Sequence, residues 1–129
     1  AEINGERLKT VATSGQIDIA QAVVAEMLGI IPFYILENGR LIPIQKARSP
    51  RHLVDMLHEF VAEFDNLKRV AITQGTPPYE QEARNLRDRL YQDIVPEALS
   101  EHSLSLALMA LLGPRSLGVF TLEEYEQEN

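Results

Sequence analysis

The sequence predicts an α/β domain, a two-layer sandwich built on a mixed sheet that includes a β-hairpin. Three observations carry that prediction. Segments of strand composition alternate with segments of helical period along the chain. Asn38-Gly39 stands between two apolar stretches, and both central positions of a tight hairpin turn want positive φ. Ser49-Pro50 opens a run whose apolar residues return at three- and four-residue steps, with the serine as cap and the proline at the first helical position.

The elements follow in order. Residues 1–13 fit a helix closed by Gly15 or a boundary segment. Residues 17–28, IDIAQAVVAEML, read as a helix with Ile17, Ala20, Val24, Met27 and Leu28 on one face, Asp18 as N-cap and Gly29 as its stop. Residues 31–44 give the hairpin: strands over 33–36 and 41–44 with the turn over 37–40. Pro32 and Pro43 lack backbone donors and suit an edge or the end of a ladder. After Ser49 the helix carries Leu53, Val54, Met56, Leu57, Phe60, Val61 and Phe64, a stripe wide enough to cover a sheet. KRVAIT, residues 68–73, reads as a central strand and ends in the rigid loop Gln74-Gly75-Thr76-Pro77-Pro78. A polar-rich helix over 79–91 turns Ala83, Leu86 and Leu90 inward. A third strand is expected over 94–98, a short apolar helix over 103–112 and a last strand over 117–122. Residues 123–129 read as an acidic tail that frays.

At 129 residues the chain is expected to form a single domain, 1–129. Its net charge of -7 argues against a nucleic-acid partner, because no basic excess is available to neutralise phosphates. The run from Lys46 to Arg51 is the one candidate basic patch. The absence of cysteine removes disulfides, thiolate metal sites and thiol nucleophiles. No apolar run approaches the ~20 residues of a membrane span, and the opening residues lack the core of a signal peptide. A cytoplasmic location is expected. The chain begins at alanine, as a processed chain or a piece of a longer one would.

Chemistry is sparse. His52 and His58 lie six apart on one helix, roughly 9 Å along its axis and on different faces, so they share no metal. Asp18, Asp55, Glu59, Glu63, Asp88 and Asp93 fall on helix faces suited to solvent, and the serines lack a nucleophile elbow. No enzyme, metal or cofactor is expected. Two stretches could hold an anion. In the first, Arg48, Ser49 and Arg51 add donors to a helix N-terminus. In the second, LLGPRSLGVF over 111–120, Gly113 and Pro114 fix a loop that presents Arg115 and Ser116. From the residues alone the simpler accounts are a capped helix start with solvated arginines and a plain turn before a strand.

The order of these pieces resembles the second, C-terminal domain of the DegV family of fatty-acid-binding proteins. The resemblance rests on Ser14-Gly15-Gln16-Ile17, Leu28-Gly29-Ile30-Ile31-Pro32, Glu37-Asn38-Gly39-Arg40, Ala47-Arg48-Ser49, VAITQG over 70–75 and GPRSLGVF over 113–120, in sequence from 8 to 120. It implies a lipid- or small-carboxylate-binding module without catalysis, whose partner is a long-chain fatty acid held between two domains. The acyl pocket would be lined by residues 17–28 and 103–112. The family's head-group histidine, just before glycine-proline, matches Leu111 here, with Ala110 and Leu112 beside it. Leucine can neither donate to a carboxylate nor carry a proton. Arg115 replaces the family's second glycine and Gln74 stands where histidine is frequent. The ligand-binding residues implied for this chain are therefore Arg48, Ser49, Gly113, Arg115 and Ser116. The alternative is a docking domain that assembles with itself as a homo-dimer or with a kinase-like partner; a missing N-terminal domain belongs to either reading.

Overall fold

A computed structural model describes residues 8–11, 15–26, 28–76, 78–112 and 115–126. Seven strands form one sheet: β1 (Leu8–Val11), β2 (Gly15–Ala25), β3 (Ile31–Glu37), β4 (Arg40–Ala47), β5 (Leu67–Gln74), β6 (Leu99–Ser103) and β7 (Ser116–Glu126). Three helices accompany them: α1 (Pro50–Ala62), α2 (Glu80–Leu90) and α3 (Leu106–Leu112). The strand order is β4-β3-β2-β7-β5-β6, with β1 also on β2. Only β5 and β6 run parallel among the paired strands, and α2 makes their crossover. The expected α/β sandwich with a mixed sheet and a hairpin is thus the fold.

The hairpin lies where its turn chemistry requires. Asn38 and Gly39 have φ of 52° and 73°, the positive pair of a tight two-residue turn, and Glu37 faces Arg40 across it. Pro43 sits on β4, an edge strand, where a missing donor costs nothing. Ser49 caps α1: its Oγ accepts the His52 N–H at 3.1 Å, while His52 Nδ1 accepts the Arg48 N–H at 3.0 Å. Two otherwise orphaned donors are thereby satisfied reciprocally. Asp55 of α1 accepts from Arg89 of α2 at 2.6 Å, and that bond holds the carboxyl below its usual range.

Residues 17–28 are not a helix. They form most of β2, which pairs with β7 along its whole length and with β1 and β3 on its other side. Ala22, Val23, Val24 and Ala25 are all fully buried, because side chains alternate to two covered faces. Ala22 and Val24 join the main core with Leu53, Leu57, Ile72 and Leu86, beneath α1 and α2. Val23 and Ala25 face the other way and pack with Leu36, Leu104, Leu108 and Leu112, under α3. A central strand buried on both faces has no polar stripe, and its apolar set satisfies helical spacing equally well.

Two further expectations are corrected. Residues 94–98 are not a strand; a 3₁₀ turn (Pro96–Ala98) leads into β6, which starts at Leu99. The acidic stretch expected to fray from residue 123 continues β7 to Glu126, with Glu123 buried and accepting the N–H groups of Asp65 and Asn66 at 3.1 and 3.3 Å. Residues 127–129 lie outside the described residues, as do 1–7.

Candidate functional site

Every connection that matters converges on one edge of the sheet. β2, β4, β5 and β6 end there, β3 and β7 begin there, and α1 and α2 start from it. In open α/β sheets ligands gather outside such strand ends. Arg48 and Ser49 follow β4; Arg115 and Ser116 begin β7; Gly113 lies outside the described residues. The two pairs share the edge but not a point. Three strand spacings separate β4 from β7, roughly 14 Å. A single carboxylate cannot bridge them, and Ser49 Oγ is already engaged as the cap of α1.

At the β7 end a polar cluster forms. Arg115 Nη1 donates to Glu26 Oε1 at 2.9 Å, and its guanidinium carbon lies 4.1 Å from the centroid of the Tyr79 ring. The Tyr79 hydroxyl donates to the same Glu26 oxygen at 3.3 Å. The backbone pins the three together: the Glu26 N–H donates to the Arg115 carbonyl at 3.1 Å, and the Gly75 N–H to the Ser116 carbonyl at 3.0 Å. Tyr79 is buried just before α2, and burial, reinforced by the Glu26 carboxylate, pushes its hydroxyl up to about 12. It therefore stays a neutral donor at ordinary pH.

At the same strand ends three buried polar atoms find no partner among the described residues: Ser116 Oγ and Thr73 Oγ1 on the α3 side of the sheet, and Gln74 Oε1 on the side of α1 and α2. Buried hydroxyls are normally satisfied, so the two on the α3 side mark a place for water or a ligand. Ser116 itself is 0% exposed. A shallow depression of about 350 Å³, lined by Gln74, Gly75, Thr76, Pro78, Glu101, His102 and Ser103, opens beside it. Two apolar side chains at this end of the sheet are strongly exposed: Leu28, in the turn after β2 with φ of 52°, and Leu111, in the last turn of α3. Leu112 turns inward instead.

Of the residues expected from sequence, Arg115 and Ser116 come together with Glu26 and Tyr79, which sequence reasoning missed. Glu26 was hidden inside a presumed helix, and Tyr79 follows a Pro-Pro loop like any first helical residue. The expected acyl pocket between residues 17–28 and 103–112 is a packed contact of β2 with α3 through Val23, Ala25, Leu108 and Leu112. Among the described residues, no three His, Asp or Glu are grouped to hold a metal, and no helix is long and apolar enough to cross a membrane.

Comparison with known proteins adds the following. The profile of a family described as uncharacterised protein, DegV family, matches residues 4–124. A DegV domain-containing protein of Streptomyces coelicolor is 32% identical over 107 residues, covering 81% of this chain and 38% of that protein. A fatty acid binding DegV family protein from Streptococcus agalactiae superimposes with a TM-score of 0.70 at 18% identity, covering 83% of this chain and 45% of that one. A DegV family protein from Eubacterium eligens, loaded with heptadecanoic acid, gives a TM-score of 0.65 at 13% identity, over 85% and 46% of the two chains. The chain thus spans less than half the length of these relatives.

Proposed function

Since the chain belongs to the DegV family, we propose that it is a fatty-acid-binding module, without catalysis, equivalent to the family's second domain. The observation that carries this reading is the strand-end edge itself. A guanidinium held over a ring and a buried unpartnered hydroxyl share this end of the sheet with exposed Leu28 and Leu111. An amphipathic carboxylate needs both kinds of surface. Its chain gives about 0.8 kcal/mol for each buried CH₂, and a few polar contacts orient its head.

In this reading Arg115 and Ser116 take the carboxylate. Arg48 and Ser49, at the far end of the edge, meet a companion N-terminal domain that closes the cleft, as the greater length of the relatives suggests. Leu111 occupies the place of the family's histidine and contributes apolar wall. The module works in the cytoplasm, in keeping with its lack of cysteine.

A second reading has its own observation. Ile17, Ile19, Phe120 and Leu122 lie on the sheet face opposite α1 and α2 and are only half-buried. That face suits docking, with a second copy or with a kinase-like partner. Native mass spectrometry followed by denaturing lipid extraction separates the two. A stoichiometric fatty acid is expected; an apo mass with a concentration-dependent dimer would replace binding by assembly.

A further inference from the structure

We propose that Glu26 is a built-in competitor for the ligand's head: it occupies Arg115 in the empty site and is displaced by the incoming carboxylate. This rests on the fatty-acid reading above and adds the residue that sets how strongly an acid head is held.

The geometry is that of a resident ligand. One carboxylate oxygen, Glu26 Oε1, accepts from both Arg115 Nη1 and the Tyr79 hydroxyl, at 2.9 and 3.3 Å. The Arg115 and Glu26 side chains are 44% and 41% exposed, so solvent reaches the pair, whereas Tyr79 is 1% exposed and packed in the main core. The guanidinium is held by the ring beneath it and by the backbone bond between residues 26 and 115. Neither support uses the Glu26 side chain. When that side chain swings out, two donors remain aimed at one vacated position, and a carboxylate is the group that accepts from both.

The exchange trades one carboxylate for another, so the head adds little net affinity and chain burial supplies most of it. A neutral head gains nothing from Arg115 and leaves the Glu26–Arg115 pair in place. Arg115 therefore confers the preference for an acid over an alcohol, and Glu26 tempers it.

The test uses octanoate and octanol as probes, titrated into the wild-type chain, Glu26→Gln, Arg115→Gln and the double variant, with binding followed by NMR at the Arg115 Nε–Hε signal where present and at backbone amides throughout. Glu26→Gln is expected to bind octanoate about fivefold tighter, the worth of an exposed ion pair, with octanol unchanged. The gain is expected to vanish in the double variant. Glu26→Asp, which keeps the charge but shortens the reach, is expected to move the same way by less. Equal octanoate affinity in wild type and Glu26→Gln, or an equal gain for octanol, overturns the role of Glu26 and leaves the fatty-acid reading standing. Failure of every form to bind either probe overturns both.

Discussion

The Thr73 hydroxyl fills the space above Gly118: a Cβ at residue 118 would lie 2.9 Å from Thr73 Oγ1 and 2.9 Å from the Ala22 carbonyl oxygen. The glycine is therefore what lets β2, β7 and β5 close up at this point. Gly118→Ala is expected to destabilise the fold by about 1–3 kcal/mol, the usual cost of overpacking. Adding Thr73→Ala should recover part of the loss, because the backbone carbonyl remains. Urea midpoints of the two variants check this, and an unchanged midpoint for Gly118→Ala would contradict the close packing.

Glu123 is 2% exposed and serves two backbone donors at the entrance to β5. Glu123→Ala strands both N–H groups and is expected to cost about 1–3 kcal/mol. Hydrogen exchange at Asp65 and Asn66 gives an independent reading, since both amides should lose protection in the variant.

Removing the cap of α1 is a milder change. Ser49→Ala should lower stability by about 1 kcal/mol, and Ser49→Asp, which still accepts the His52 N–H, should restore it. If Ser49→Ala left stability untouched but weakened ligand binding, the serine would be a binding residue rather than a cap.

Tyr79 sets an alkaline limit. Its folded value, about 12, lies above the ordinary tyrosine value of 10.0. The folded state holds this proton more tightly than the unfolded chain, so the contribution is complete below about 10 and is lost as pH rises towards 12. One of the four tyrosines is thus expected to ionise late in an absorbance titration. Glu26→Gln should bring that ionisation to lower pH, because it removes the neighbouring negative charge. A titration unchanged by the substitution would remove Glu26 from contact with the ring hydroxyl.

Local rules made much of the fold legible. Asn38-Gly39 admits one kind of turn, and Ser49-Pro50 announces one kind of helix start; both signals need only four or five residues to act. β2 failed because its information is not local. Its Ala22–Ala25 run is apolar on both sides only because β7, the last strand described, inserts beside it and α3 covers its far face. Alanine favours a helix in isolation, and the tertiary setting overrides it. The valine pair at 23–24, bounded by Gly15 and Gly29, was the available cue for a strand. The site was half legible for the same reason. Arg115 and Ser116 stand out beside glycine-proline, whereas Glu26 gains its role from a partner 89 positions away.

β7 also governs how the chain becomes a domain. It hydrogen-bonds to β2 on one side and β5 on the other, and no other described strand joins those two halves. Until residues 116–126 have been synthesised, β1–β4 and β5–β6 are separate ladders, each with an open edge that invites the wrong neighbour. The nascent chain must wait, and the waiting species expose the apolar strands that later become the centre. Such late, long-range closure makes folding slow. A ribosome stalled before residue 116 would hold two half-sheets in need of a chaperone.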